Sequence, residues 1–469
     1  MIRVHVFVLM VVSVFGTPVT ITAQPPAQAG PPQTLTLDQA VQYAADHYPT
    51  VRAALEQVNA SVAGVDVARS AYLPRLDSLW QSNRATANNI FGQVLPQGVI
   101  PALSGPVLPN ASSQSVWGSA TGALFSWEPF DFGLRHASVV GAEAAVAQAR
   151  AGETLTRLDV QYAVATAFLG VLAAQRAVTA AQADRDRRNV LLQSVQVLVN
   201  NQLRPGAEAS RAEAERAAAD TRVIQSQQTL TIAQSRLTRV LGITGGAVTI
   251  VGDSLIARQP PADVPPTTAS NHPLALVRQA AVDEARASED VLAHTDLPRV
   301  FVQSSISARG SGADPSGMFD GGVSGLGLDR ANWAAGFEVV FPNLFDFSTL
   351  RARKAAAAAS SRANTALYDE ALLTITNEQQ TAAALLQTTR AIAANTPVQL
   401  AAAQQSESQA RARYDAGLAS IIEVADAQSL LAEAEVQDQL ARVDVWRALL
   451  AAAAAQGDLT SFVNLVRQP

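Results

Sequence analysis

Apolar residues recur along most of this chain at helical spacing, and the longest run follows a heptad. Leu155, Leu158, Tyr162, Ala165, Leu169 and Leu172 step alternately by three and four residues, the seam of a coiled coil. Ala137 to Asn201 holds no proline and almost no turn signal, so the pattern predicts one helix of roughly 98 Å at 1.5 Å per residue. A second is predicted from about Arg351 to Tyr414, with Pro397 as its one break or kink. Sharp turns at Leu203-Arg204-Pro205-Gly206 and Ala416-Gly417-Leu418 reverse the chain, and helices ending near Gly242 and Gly457 follow. Each half opens on a shorter helix, capped by Thr36 or Asp38 and running through Leu55 to about Ser70, or opening at Asn271 with Pro273 in its first turn. A helix of such length cannot bury its seam in a compact domain. It belongs in a coiled-coil hairpin or a cylinder of such hairpins.

Two regions switch to a period of two. Trp333, Ala335, Phe337, Val339 and Phe341 alternate with Asn332, Ala334, Gly336 and Glu338, and Val300 to Ile306 alternates likewise. In the first half Trp80, Trp117, Phe125 and Trp127 lie among serine, glutamine and glycine. Two β-hairpins are therefore predicted, at about 74–130 and 298–345, with long tips rich in glycine and proline at Asn88–Asn110 and Gly310–Gly327. Outside the first 23 residues there are seventeen phenylalanines and tryptophans, and fourteen fall within 80–132 or 301–347. They could fill an ordinary β core. The sharper reading makes Trp80, Trp117, Phe125, Trp127, Trp333, Phe337 and Phe341 the aromatic girdle of a membrane β-barrel. Four strands cannot close such a barrel, so a chain using them in lipid must oligomerise.

The chain is one unit written twice. His47-Tyr48-Pro49 precedes Leu73-Pro74-Arg75 as His272-Pro273 precedes Leu297-Pro298-Arg299, the second proline coming 25 residues after the first in both. Phe130-Asp131-Phe132 has its counterpart in Phe345-Asp346-Phe347. Asp131 to Leu203 and Asp346 to Leu418 are both 72 residues; Leu203 to Gly242 and Leu418 to Gly457 are both 39. The expected organisation is a first repeat at 34–242, a connector at 243–270, a second repeat at 271–457 and a C-terminal tail at 458–469. Ahead of these, residues 1–23 read as a secretory signal peptide: Arg3, the apolar run Val6 to Val12 and Ala23 near a cleavage point. Residues 24–33 read as a flexible lead. No later segment is expected to span a membrane as a helix.

Composition sharpens this picture. Of 469 residues 90 are alanine and none is cysteine. Alanine favours long, closely approaching helices. Missing cysteine removes disulfides, thiolate metal sites, thiol nucleophiles and an N-terminal lipid anchor. A net charge of −6 without a basic face argues against nucleic acid. His47, His136, His272 and His294 lack metal-ligand spacing, and the glycine-rich stretches do not open helices as phosphate loops do, so no cofactor, metal or catalytic residue is expected.

Over essentially the whole chain after the signal, the sequence resembles the TolC-like outer membrane efflux proteins of Gram-negative bacteria. The resemblance rests on the duplicated unit, Leu-x-Leu-x-x-Ala at Leu35 to Ala40, Leu-Pro-Arg, Tyr414-Asp415-Ala416-Gly417, and above all Ser420-Ile421-Ile422-Glu423-Val424-Ala425-Asp426-Ala427. It implies a mainly α fold with a membrane β-barrel part: a homotrimer in which each chain gives four strands to one twelve-stranded barrel, continued by an α-helical tunnel into the periplasm. It further implies docking with a periplasmic adaptor (membrane fusion protein) and an inner-membrane pump, the barrel being seated in outer membrane lipid.

The same resemblance places the gate at the helix tips. Glu423 and Asp426 match the family's carboxylate rings, and their three-residue spacing puts both on one helix face. Tyr414 and Glu208 match positions of the closed-state latch. The arginine that often contributes there is replaced by Ala419, and the first turn lacks the usual leading glycine. Leu203, Gly206, Gly417 and Leu418 are the tip positions expected to meet the adaptor. The competing reading is a periplasmic coiled-coil adaptor or envelope spacer with a soluble β domain.

Overall fold

The computed structural model describes residues 34–86, 113–244, 248–257, 264–313, 316, 318, 323–342 and 346–467. The expected signal, lead and first hairpin tip lie outside the described residues, as does part of the second tip. The first repeat contains β1 (Thr34–Leu35), α1 (Leu37–His47), α2 (Pro49–Ser70), β2 (Arg75–Thr86), β3 (Ser115–Phe130), α3 (Leu134–Asn200) and α4 (Gly206–Val240). Then come β4 (Thr249–Ile250), α5 (Asp253–Ala257), α6 (Pro273–His294), β5 (Arg299–Ser311), β6 (Arg330–Val340), α7 (Phe347–Asp415), α8 (Ile421–Ala455) and α9 (Thr460–Arg467).

The structure differs from the sequence reading at four places. The expected first helix is two, because Pro49 offers no N–H to continue α1 and Tyr48 is extended at φ −66°, ψ 132°. Pro397 does not break α7, which runs through it for 69 residues. The ring sits on the exposed side, while neighbouring Thr396 is buried and donates to Asp438 Oδ1 at 3.0 Å. The tail contains α9, whose Phe462 is fully buried. Finally, α3 does contain a window apolar enough to cross a membrane by length and composition, and half of it is buried inside the fold. Leu158, Ala165, Leu169 and Leu172 of the seam are buried there, with Val164, Phe168 and Val171 added because α3 packs on several sides at once.

β2, β3, β5 and β6 form one antiparallel sheet in that order, so the two hairpins join through β3 and β5. The short helices and the long ones repeat this order beneath the sheet: α2 packs on α3, α3 on α6 and α6 on α7. Below that level α4 pairs with α3, α7 with α8, and α3 with α8. At 1.5 Å per residue, α3 with its 67 residues runs for about 100 Å.

The core is a belt around α3 and α8 rather than a centre. Parallel β1 and β4, with α5 and α9, wrap these helices. Trp446 of α8 is fully buried, donates from Nε1 to the Leu255 carbonyl at 2.6 Å and meets Phe462 edge-on at 6.2 Å. Both repeats close here with the same joint. Gly242 (φ +71°) ends α4 against Tyr48 and Pro49, and Gly457 (φ +80°) ends α8 against His272 and Pro273. A Cβ at Gly457 would lie 2.5 Å from Pro273 Cδ, so helix end and helix start approach as closely as glycine permits.

Where strand passes into long helix, Asp131 is the joint. Its carboxylate accepts the Gly133 N–H at 3.2 Å, the Arg135 N–H at 2.7 Å and Arg135 Nε at 2.8 Å. Burial alone would raise the Asp131 carboxyl, but these bonds and the guanidinium charge outweigh it and hold the group below its usual range.

Candidate functional site

Each helix turn closes by the same hydrogen bonds on different chemistry. In the second half the Leu418 N–H bonds the Arg413 carbonyl at 2.8 Å and the Gly417 N–H bonds that of Tyr414 at 2.9 Å, with Gly417 left-handed at φ +76°. In the first half Leu203 bonds Leu198 at 2.9 Å and Gln202 bonds Val199 at 2.9 Å, with Gln202 left-handed at φ +62°. The missing glycine thus changes the residue and leaves the turn intact. α8 then starts on Ser420, whose Oγ accepts the Glu423 N–H at 3.4 Å. Leu203 and Leu418 project into solvent at 68% and 72% exposure, and Gly206 has open space around it.

The two turns meet on Tyr414. Its ring is buried among Leu191, Leu192, Val195, Ala212, Ala419, Ile421 and Val424, and its hydroxyl donates to Glu208 Oε2 at 2.8 Å. Burial pushes the phenol up to about 12, and the Glu208 carboxylate adds to the shift by its hydrogen bond and its charge. Arg204 lies over the ring with its guanidinium carbon 4.7 Å from the centroid, and Nη2 donates to the Tyr414 carbonyl at 3.1 Å. The sequence reading found Tyr414 and Glu208 but took Ala419 as the loss of an arginine. Ala419 lies in the apolar cluster around the ring, and the arginine that meets the ring is Arg204 of the opposite turn.

Glu423 and Asp426 are both exposed on one face of α8's first turns. Glu423 Oε2 is 3.8 Å from Arg413 Nη2, while Asp426 makes no ion pair among the described residues. The structure brings Glu423 beside the turn but does not join either carboxylate to Tyr414.

At the other end, strand register sorts the aromatics. Leu76 and Trp80 of β2 sit opposite Phe125 and Thr121; Phe125 sits opposite Ser304, Trp127 opposite Val302, and Ile306 opposite Trp333. Trp80, Trp117, Phe125, Trp127, Trp333 and Phe337 therefore share one face, with Leu76, Val302, Ile306 and Val339. Trp80, Trp333 and Phe337 are 70%, 81% and 76% exposed on it. Phe341, just past β6, is exposed as well. The opposite face carries Asp77, Gln81, Asn83, Glu128, Arg299, Gln303, Asn332 and Glu338, with Arg299 and Glu128 paired at 2.6 and 2.7 Å. Among the described residues, β2 and β6 each pair on one side only.

A sheet with an exposed apolar face, a polar reverse and two open edges, set on helices about 100 Å long, defines a membrane β-barrel channel with a helical extension. The sequence profile of the outer membrane efflux proteins matches residues 40–243 and 264–458, and the chain belongs to that family. It is an outer membrane channel of the efflux class, its helical part in the periplasm. Its fold is similar to that of the Campylobacter jejuni CmeC outer membrane channel, with a TM-score of 0.74 at 15% identity over 90% of this chain and 85% of that one. It is similar also to the Vibrio cholerae outer membrane protein VceC (0.70, 17%, 90% and 96%) and to the open state of the Neisseria gonorrhoeae MtrE outer membrane channel (0.71, 16%, 90% and 89%). None of the curated proteins compared with the chain matches it. Members of the family serve as the outer membrane component of tripartite systems and are passive channels, which favours the duct over the soluble adaptor or spacer.

Proposed function

We propose that three copies of this chain close one twelve-stranded barrel, β2 of each copy pairing with β6 of the next, and that the joined helices form a passive periplasmic duct. The single observation that carries this is the four-stranded sheet with its apolar outer face and its two edges unpaired among the described residues. The polar face then lines the pore, and the aromatic face meets outer membrane lipid.

The tips form the gate. Tyr414, Glu208 and Arg204 tie the two helix turns of one chain and hold the duct closed. Threefold symmetry brings Glu423 and Asp426 to the narrow mouth as six carboxylates, which favour cations. Leu203 and Leu418, with Gly206 and Gly417, present the surface for a periplasmic adaptor, and an inner-membrane pump supplies the energy. No residue is assigned a catalytic role, and neither a cofactor nor nucleic acid is assigned as a partner.

Reconstitution into a planar bilayer, with the oligomer mass measured in detergent, tests this reading. A trimer with a small, cation-preferring conductance supports it, and a monodisperse monomer that conducts nothing contradicts it. Glu423→Ala/Asp426→Ala is expected to lose cation preference and divalent-cation block; unchanged selectivity removes the ring from the gate.

A further inference from the structure

A second charged cluster lies above the tip, inside the coiled coil. Arg188 of α3 is 1% exposed, and its guanidinium reaches three helices. Nε donates to Asp184 of its own helix at 3.0 and 3.1 Å, Nη1 to Glu215 of α4 at 2.8 Å, and Nη2 to Ser429 Oγ of α8 at 3.1 Å. Arg222 of α4 adds a bond to Asp184 Oδ2 at 2.8 Å. Next to Arg188, Arg187 grips Glu435 of α8 with two bonds of 3.0 and 2.7 Å. Three arginines face three carboxylates, so the cluster is neutral. Arg188 stands twelve residues before the end of α3, about 18 Å up the helix.

The contacts divide into two kinds. Asp184, Arg188, Glu215 and Arg222 are satisfied within the α3–α4 hairpin. Only Arg188 to Ser429 and Arg187 to Glu435 reach α8. If α8 moves away, Arg188 keeps two carboxylates and no buried charge is stranded, the outcome that makes breaking a buried ion pair so costly. The Arg187 and Glu435 side chains are each 23% exposed, so water can take over their bonds. Buried charge of this kind contributes little net stability, but its geometry admits one register of the helices.

Its position gives that register a use. Ser429 follows Asp426 by three residues, so Glu423 and Asp426 occupy the stretch of α8 between the Tyr414 tie below and the Ser429–Glu435 tie above. We infer that Arg187 and Arg188 are positioning residues of the gate: a releasable clamp that holds the carboxylate-bearing start of α8 against the α3–α4 hairpin while the duct is closed. This rests on the proposed gating at the tips. The clamp holds α8 from above and the Tyr414 latch holds the α7–α8 turn below it, so each retains part of the closed state when the other is removed.

Closed-duct conductance in planar bilayers tests the clamp, on the full-length protein in its natural oligomer. Glu435→Gln and Ser429→Ala are each expected to raise it by about two- to fivefold, the range set by one partly exposed tie. The thermal midpoint of the oligomer should not change, which a merely structural role would move. Charge reversal, Arg187→Glu with Glu435→Arg, should restore the low conductance, and Glu435→Gln/Tyr414→Phe should conduct more than either single variant. If Tyr414→Phe opens the duct while Glu435→Gln and Ser429→Ala leave conductance unchanged, the clamp is wrong and the tip gate stands. If none of these variants changes conductance, the gate reading fails as well and takes the clamp with it.

Discussion

Arg204, in the turn between α3 and α4, lies 4.7 Å over the ring of Tyr414, at the end of α7 on the other side of the repeat. One guanidinium thus covers the aromatic face while the Tyr414 hydroxyl is spent on Glu208. Removing either group should loosen the same tie. Tyr414→Phe deletes a charge-assisted hydrogen bond worth about 1.5–3 kcal/mol and leaves Glu208 without its donor. We expect closed-duct conductance to rise about tenfold or more in bilayer recordings. Arg204→Ala should produce a smaller rise, since a cation–π contact is worth about 0.5–2 kcal/mol.

The same tie should respond to alkali. The neutral Tyr414 phenol is favoured in the fold because burial, and then the Glu208 carboxylate, oppose its ionisation and raise it from 10 to about 12. A group raised in the folded state contributes fully below its unfolded value and is lost as pH climbs through its folded one. Conductance of the wild-type duct is therefore expected to increase between about pH 10 and 12, and the increase should be absent in Tyr414→Phe.

The two tip turns make opposite predictions on substitution. Gln202 holds a left-handed conformation that costs a side-chain-bearing residue roughly 1 kcal/mol, whereas Gly417 holds its own freely. Gln202→Gly should raise the thermal midpoint of the purified protein and Gly417→Ala should lower it.

How much of this was legible in the sequence follows from how local each signal is. The strand alternation, the repeat and the long helices were readable because periodicity is written in consecutive residues, and register then put Trp80, Trp127 and Trp333 on one face. Tyr414 and Glu208 came from the resemblance. Arg204 and Arg188 did not emerge, because their partners Tyr414 and Ser429 lie 210 and 241 residues away. A hint existed in Asp184-Arg185-Asp186-Arg187-Arg188, a dense charge run on an otherwise alanine-rich helix. The role of α9 was illegible as well: Phe462 is buried in the core belt, where α9 packs on α1 and α8 and Phe462 meets Trp446 edge-on.

The two faces of β6 should tolerate charge unequally. Trp333→Arg places a cation on the apolar face and is expected to cost about 2–4 kcal/mol at mid-membrane depth, less toward the interfaces. Ala334→Arg, one residue on, points to the polar face and should be near neutral. The yield of folded protein in lipid vesicles separates the two.

The central claim is that the open edges of β2 and β6 close on neighbouring copies, and the absence of native cysteine makes it directly measurable. Single cysteines placed along β2 and along β6 of the same chain, scanned in pairs and oxidised in the membrane, should link copy to copy into a covalent trimer that forms no larger species. Chains that stay monomeric across the scan, or that stop at covalent dimers with both edges still free, would contradict it.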